Sequence, residues 1–457
     1  MTQLLVAVVN TACVMAVVAY LLVRTRFYTA IVEKSDTVRS HLYLTLVLLF
    51  TSFTLYGVLV AIPVAGGYVA LGHIGQIIGG LMAGPVVGTA VGLIIAVHRW
   101  TLGGFSVVPA TLSVVLVGTL AGFYALWKKS TRYNPFEVAA LIALLQLGAS
   151  GLTFLLTSDF DQALRLEKEI RLPMTIGHMI AGAVFILVIN NMLEERENRA
   201  AREKSEGELR VARDIQMSMV PKTFPPFPHV PEFDVFALLK PAREVGGDLY
   251  DFFFVDKDHI CFAIGDVSGK GVPAALFMAV TRTMLKSFIS NEAPLEQSMF
   301  RLNNELCQGN DASMFTTLFC GILQIRTGEI VYSNAGHNFP YIYRKDGTLE
   351  AVSSANSVAL GCMEEIPYSS GMITLSKGDA LILYTDGVSE AMNHQQELFT
   401  EKRLEATIQK SVRSSSREII KTIMDDIAVF VSGAEQSDDI TLLVFTYNGS
   451  ESPVQEG

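Results

Sequence analysis

Aspartates set beside glycines at the ends of apolar runs are the residues of this sequence best suited to chemistry. Asp248 lies in GGDLYDF, Asp266 in AIGDVSGKGVPAAL, Asp386 in LYTDGVSEA, and the pair Asp438-Asp439 in SDDITLLVF. An ionised carboxylate at the edge of an apolar strand is costly unless something pairs with it. Lys270 alone among the basic residues adjoins these acids in sequence. Several unpaired carboxylates converging from strand ends are best neutralised by divalent metal, and all-oxygen ligation favours manganese or magnesium. A lone Asp-Gly is more often a turn. Four such motifs in one order argue for a site.

The elements that must position them are legible as alternating apolar runs. Phe233 to Leu239, His259 to Ile264, Phe315 to Ile325, Ile330 to Asn334, Ala380 to Tyr384 and Ile440 to Thr446 read as strands. Pro273 to Ile289, Pro294 to Cys307, Glu401 to Gln409 and Ser416 to Ser432 read as helices. Many strands with fewer helices and no regular βαβ alternation predict an α+β or sandwich domain over residues 232–447, followed by a flexible tail at 448–457.

Charge separates this domain from the rest. Residues 1–192 hold about 11 Lys/Arg and 7 Asp/Glu, and the remainder about 24 and 38, so the first stretch is less than half as charged. That split excludes a single globular enzyme, a disordered chain and a secreted disulfide scaffold. The soluble part, at a net charge of about −14, is a poor partner for nucleic acid. The five cysteines form no Cys-x-x-Cys pair and read as reduced thiols, so structural zinc is not expected.

Six apolar runs in residues 1–192 are long enough to span a bilayer: Leu4 to Val23, Leu42 to Ile62, Tyr68 to Val97, Val107 to Trp127, Glu137 to Leu156 and Pro173 to Met192. Arg24 and Arg26 follow the first run instead of preceding it, which argues for a retained helix over a cleaved signal. The third run is over-long and rich in glycine, with Pro85 after Gly84 in its middle. It is either a surface for close helix packing or a broken helix lining a cavity. Arg99 either snorkels to the interface or touches a ligand, and His73 reads as packed or interfacial. Six passes place Lys128, Lys129 and Arg132 inside but leave the loop with Arg24, Arg26, Lys34 and Arg39 outside; a break at Gly84-Pro85 giving a seventh pass would repair this.

Residues 193–231 connect the two parts. Glu, Arg, Lys and Ala dominate and no proline intervenes before Pro221, so a helix is expected. Leu209, Ala212, Gln216 and Met219 approximate the seam of a parallel coiled coil, and a solvated single helix is the alternative. Pro221, Pro225, Pro226, Pro228 and Pro231 end it in a stiff link.

Two resemblances follow. The stretch GGLMAGPVVGTAVGLIIAVHRWTLGGFSVVPATLSVVLVGTLAG, Gly79 to Gly122, resembles the five-span receptor domain of the LytS and YhcK type, which implies sensing of a small-molecule or peptide signal by a polytopic domain in the lipid of the bacterial inner membrane. GGDLYDF, GDVSGKGVPAALFMA, NAGHN, YTDGVSEA and SDDITLLV occur in the order seen in SpoIIE-type and RsbU-type serine phosphatases, bacterial members of the metal-dependent protein phosphatases. This second resemblance implies an αββα sandwich with two divalent cations at one edge of the sheets.

Carried over by motif, Asp266 resembles the carboxylate bridging two metals, with the main-chain carbonyl of Val267 on the second. Asp386 and Asp438 resemble ligands of the first metal, and Asp248 matches the acid of the family's first motif, which binds metal directly or through water. Asp439 could exchange roles with Asp438. Metal-activated water makes a protein nucleophile unnecessary. Gly269 and Gly271 either let backbone approach the site or simply turn the chain. Arg243 and Lys240 either reach the substrate phosphate or are exposed loop charges, and His337 of NAGHN is either a general acid or part of a structural turn. By resemblance the substrate would be phosphoserine or phosphothreonine on an anti-anti-sigma (STAS-type) protein, the phosphatase domain would be cytoplasmic, and the assembly a homodimer.

Other functions fit less well. Gly246-Gly247-Asp248 opens like a diguanylate cyclase signature, but Leu249-Tyr250 replaces the Glu-Phe needed there. A histidine kinase needs a phosphoacceptor histidine on the connector helix, and residues 193–228 contain none. A membrane receptor with a catalytically inactive binding module is the remaining alternative, which retention of every aspartate opposes.

Overall fold

The computed structural model describes residues 2–24, 39–59, 62–64, 67–69, 74–130, 132–290, 293–411 and 414–449. Arg26, Lys34, His73 and the tail from 450 onward lie outside the described residues. The chain divides into two compact units, Met1–Arg202 and Glu203–Gly457.

The first unit is helical. Helices α1 (Thr2–Arg24) and α2 (Arg39–Leu59) precede a two-stranded antiparallel ribbon of β1 (Ile62–Val64) and β2 (Gly67–Val69). Then come α3 (Ile74–Ala83), α4 (Pro85–Leu102), α5 (Val107–Lys128), α6 (Pro135–Leu156), the short α7 (Phe160–Leu166), one π turn at Glu167–Arg171, and α8 (Leu172–Met219). Among the described residues, the helices long and apolar enough to cross a membrane are Pro85–Leu102, Val107–Lys128, Pro135–Leu156 and the run Phe160–Met219. Large apolar side chains such as Trp127, Phe136 and Leu155 point outward from them, as a lipid-facing surface requires.

The glycine-rich third run is two helices. Gly84 stands between them at φ +85°, a left-handed value, and Pro85 opens α4. A Cβ built on Gly88 would lie 3.0 Å from Gly80 Cα. Eight residues of straight helix span about 12 Å, so the chain must double back at Gly84. The hairpin is sealed by α5: a Cβ on Gly122 would lie 2.3 Å from Pro85 Cα, and one on Gly118 2.5 Å from Gly88 O. Both sequence readings are therefore realised, the break and the close packing. At ten residues, α3 rises about 15 Å, half of what a full span needs.

Several polar groups inside this unit are paired, as an apolar surround favours, while Thr51 Oγ1 and Gln76 Oε1 are buried without a hydrogen-bond partner among the described residues. Thr89 and Thr119 share a 2.8 Å hydrogen bond between α4 and α5. Ser150 donates to Glu167, which faces Arg171 at 3.2 Å, and Gln146 meets the fully buried His178 at 3.3 Å. Arg99 Nη2 lies 3.5 Å from Ser106 Oγ.

In the second unit, the six-stranded sheet runs β10-β7-β6-β5-β4 with β11 also on β7, and the five-stranded sheet β3-β13-β12-β8-β9. Its strands are β3 (Phe233–Lys240), β4 (Leu249–Phe254), β5 (His259–Val267), β6 (Thr316–Gln324), β7 (Glu329–Ala335), β8 (Tyr341–Tyr343), β9 (Leu349–Ala351), β10 (Asn356–Ser357), β11 (Gly371–Thr374), β12 (Ala380–Tyr384) and β13 (Ile440–Tyr447). Its helices are α9 (Val272–Phe288), α10 (Leu295–Cys307), the four-residue α11 (Asp386–Ser389), α12 (Glu401–Ile408) and α13 (Ser416–Val431).

The period of two along each strand decides the layers. On β5, Ile260, Phe262 and Ile264 join Leu443, Phe445 and Tyr447 of β13 in a core between the sheets. The alternate residues Cys261 and Ala263 face Met278 and Leu285 of α9, while Leu442 and Val444 face Ile419 and Ile423 of α13. The result is the expected αββα sandwich.

Candidate functional site

One edge of the sandwich collects the aspartates because the strands that carry them end there. β13 pairs with both β3 and β12, which brings residues 438–441 beside 240 and 384–385. In the other sheet Leu249 pairs with Gly265, so Asp248 and Asp266 sit on neighbouring strands. All four motifs predicted from sequence meet at this edge.

Asp248 is buried, and its Oδ2 accepts hydrogen bonds from Thr385 Oγ1 at 2.8 Å and from Thr441 Oγ1. Burial first, and then the charges of Asp266 and Asp439, hold its carboxyl far above the usual carboxylate range; the two threonines oppose this. Asp266 is pushed up to about 7, chiefly by burial and by Asp386, with a hydrogen bond from Asp248 acting the other way. Asp386, opening α11, is raised by burial and by Glu390 and Asp438. These carboxyls resist ionising together because they crowd one another.

Asp438 and Asp439 differ sharply in what they touch. Asp439 Oδ1 accepts from Ala242 N at 2.7 Å and Oδ2 from Gly247 N at 2.8 Å, so both oxygens hold the loop that ends in Asp248. A Cβ on Gly246 would strike Asp439 Oδ2 at 2.1 Å, which explains the glycine pair. Asp438 Oδ2 instead receives Lys270 Nζ at 2.8 Å.

The donor set fits a hard divalent cation. It is made of oxygens, it carries more negative charge than its one ammonium offsets, and the Val267 carbonyl lies against Gly247, where a Cβ would come within 2.8 Å of it. Among the described residues no three His, Cys, Asp or Glu side chains yet close on a single point.

The remaining sequence candidates separate. His337 is buried, its Nδ1 lies 3.0 Å from Thr317 Oγ1, and its main chain is held at both ends by the Asn334 side chain. Burial pushes its imidazole down to about 4. Its bonds to Asn334 hold the turn after β7. Arg243 and Lys240 are exposed on the loop and strand end flanking the site. Gly269 and Gly271 both adopt left-handed φ, +82° and +81°, on either side of Lys270.

Three residues were missed. Thr385 and Thr441 serve Asp248, and a fully buried threonine within otherwise apolar LILYT and ITLLVF was the available signal, because its hydroxyl must find a partner. Gln216, read as a seam position, is buried against this unit: its Nε2 donates to Gly246 O at 2.6 Å and its Oε1 accepts from Gly246 N at 3.1 Å. A lone amide between apolar neighbours on the connector gave no hint of which surface it faced.

Residues 256–448 match the family described as Stage II sporulation protein E (SpoIIE), and residues 25–192 match the 5TMR of 5TMR-LYT. Protein IcfG of a Synechocystis species is 30% identical over 74% of this chain, which spans 55% of that relative's length. Phosphoserine phosphatase RsbU of Bacillus subtilis is 29% identical over 60% of this chain and 80% of its own. The solved SiaA-PP2C domain of Pseudomonas aeruginosa is 21% identical, covering 54% of this chain and 99% of that domain with a TM-score of 0.48.

Proposed function

We propose that this chain, which carries a SpoIIE-type domain behind a 5TMR-LYT domain, is a membrane-anchored sensor phosphatase acting on phosphoserine or phosphothreonine in a protein substrate. The observation that carries the reading is the convergence of Asp248, Asp266, Asp386 and Asp438 from both sheets onto one edge.

Asp266, the Val267 carbonyl, Asp386 and Asp438 would hold two divalent cations, manganese or magnesium, with Asp248 beside Asp266. When bound, such cations supply an activated water and neutralise phosphoryl oxygens. The chain's own contribution is placement. Asp439 fixes the 242–248 loop through its two oxygens, and Thr385 and Thr441 fix Asp248. Asp439 is thus assigned to the loop and Asp438 to the metal. His337, held neutral and buried, keeps the turn after β7 and takes no proton from the reaction.

The pathway follows the resemblance to RsbU: a phosphorylated anti-anti-sigma (STAS-type) protein as substrate, and a homodimer joined through the connector. A cytoplasmic phosphatase domain is supported by the positive-inside rule at Lys128, Lys129, Arg132 and the basic residues after Met192. The signal would be a small molecule or peptide at the helical unit. The test is hydrolysis of a phosphoserine peptide by the full chain in detergent micelles, with manganese titrated and Asp266→Asn in parallel. Manganese-dependent release of phosphate, lost by about a thousandfold in the variant, is expected. Hydrolysis indifferent to both would overturn the metal site, and a folded chain that neither binds manganese nor hydrolyses the peptide would leave the receptor with an inactive module as the better reading.

A further inference from the structure

We propose that Lys270 is a built-in cation of the acidic site, holding Asp438 in place until a divalent metal displaces it. The inference rests on the reading that these aspartates bind metal.

The geometry is specific. Lys270 stands between Gly269 and Gly271, whose left-handed φ values let the chain cross the site edge within three residues. Its Nζ lies 2.8 Å from Asp438 Oδ2 and 2.8 Å from the Ser437 carbonyl oxygen. A carboxylate and a main-chain carbonyl around one ammonium are the kind of oxygens a hard cation takes. Asp438 has a second tie, since its Oδ1 accepts from Asp439 N at 2.9 Å. The backbone beneath is fixed separately: Gln436 Nε2 donates to Lys240 O at 2.8 Å and to Asp438 O at 2.7 Å. Releasing Lys270 therefore frees the Ser437 carbonyl and one Asp438 oxygen, and loosens the Asp439 N–H that rests on the other, while Gln436 keeps the path of the chain.

The pair is also built to let go. The Lys270 side chain is 40% exposed and that of Asp438 32%. A half-exposed pair on a flexible stem is weak and salt-screened. A lysine can withdraw into solvent, where an arginine fork would hold the carboxylate more rigidly. Lys270 thus balances the crowded carboxylates when no metal does, and yields when one arrives.

The test uses the full chain in detergent micelles, stripped with chelator and titrated calorimetrically with manganese. Lys270→Gln, Lys270→Arg and Asp386→Asn are compared with the wild type, with amide exchange followed over residues 437–439 before and after manganese. Lys270→Gln should bind manganese about three- to tenfold tighter, because the competing ammonium is gone. It should lose exchange protection at 437–439 in the stripped protein alone, whereas Lys270→Arg retains it. Unchanged exchange across β5 and β6 confirms that the variant is folded. Equal or weaker affinity in Lys270→Gln, or unaltered exchange in the stripped protein, overturns the role of Lys270. Failure of the wild type to take up manganese, or uptake that Asp386→Asn leaves intact, overturns the metal reading and this proposal with it.

Discussion

In the helical unit a Cβ on Gly88 would come within 2.2 Å of Gly118 O, and one on Gly122 within 2.3 Å of Pro85 Cα. In the sandwich a Cβ on Gly387 would come within 1.8 Å of Asp439 O, and one on Gly247 within 2.8 Å of Val267 O. The steric demand is alike and the partners are not. Helix meets helix along a seam of several glycines, so each contact is one of many. In the sandwich each of these two glycines admits one oxygen at the site edge. Substitution should therefore degrade the first unit gradually and the second at single positions.

The largest effect should come from the sandwich's buried histidine. Burial holds His337 at about 4, below the ordinary 6.5. A group depressed on folding stabilises fully above its unfolded pKa and loses that contribution as pH falls through the folded value. The share contributed by His337 should thus drop by up to about 3 kcal/mol between pH 7 and 4, read as wild type minus His337→Gln because the raised carboxyls of Asp248, Asp266 and Asp386 gain stability as they protonate. Amide exchange over β6 and β7 would report it, and His337→Gln should flatten that slope.

Gly387→Ala should cost about 2–3 kcal/mol by forcing the Asp439 carbonyl aside. Peptide hydrolysis should fall with it, since the same shift moves Asp438. Gly122→Ala should cost the helical unit about 1–2 kcal/mol, read as thermal unfolding in detergent, while basal hydrolysis stays within about twofold. A large loss of hydrolysis there would break the comparison, showing that the hairpin controls the site. Gln216→Ala, which strips two hydrogen bonds from Gly246, should cost about 1 kcal/mol and raise exchange at residues 246–248.

The same contrast explains what could be read in advance. Strands such as Ala380–Tyr384 and helices such as Leu295–Cys307 carry their periodicity openly, and both fall where the pattern put them. β4 was overlooked because Asp251 interrupts its apolar run; in the fold that acid is buried against Arg282 at 2.8 Å, a partner 31 positions away. The short strands β8 to β11 carry two to four residues each, too few for any period to show. The four aspartate motifs were legible because an acid beside a buried strand has few alternative explanations. The division of labour between Asp438 and Asp439 was not, because it depends on Ala242 and Gly247, nearly two hundred residues earlier.

Two hydroxyls entering Asp248 from Thr385 and Thr441 converge on the same oxygen, Oδ2. A carboxyl tied in this way would have one oxygen left to offer a cation, whereas among the described residues no hydroxyl is shown on either side-chain oxygen of Asp266. Thr441→Val, which keeps the shape and removes one donor, would make the two aspartates more alike.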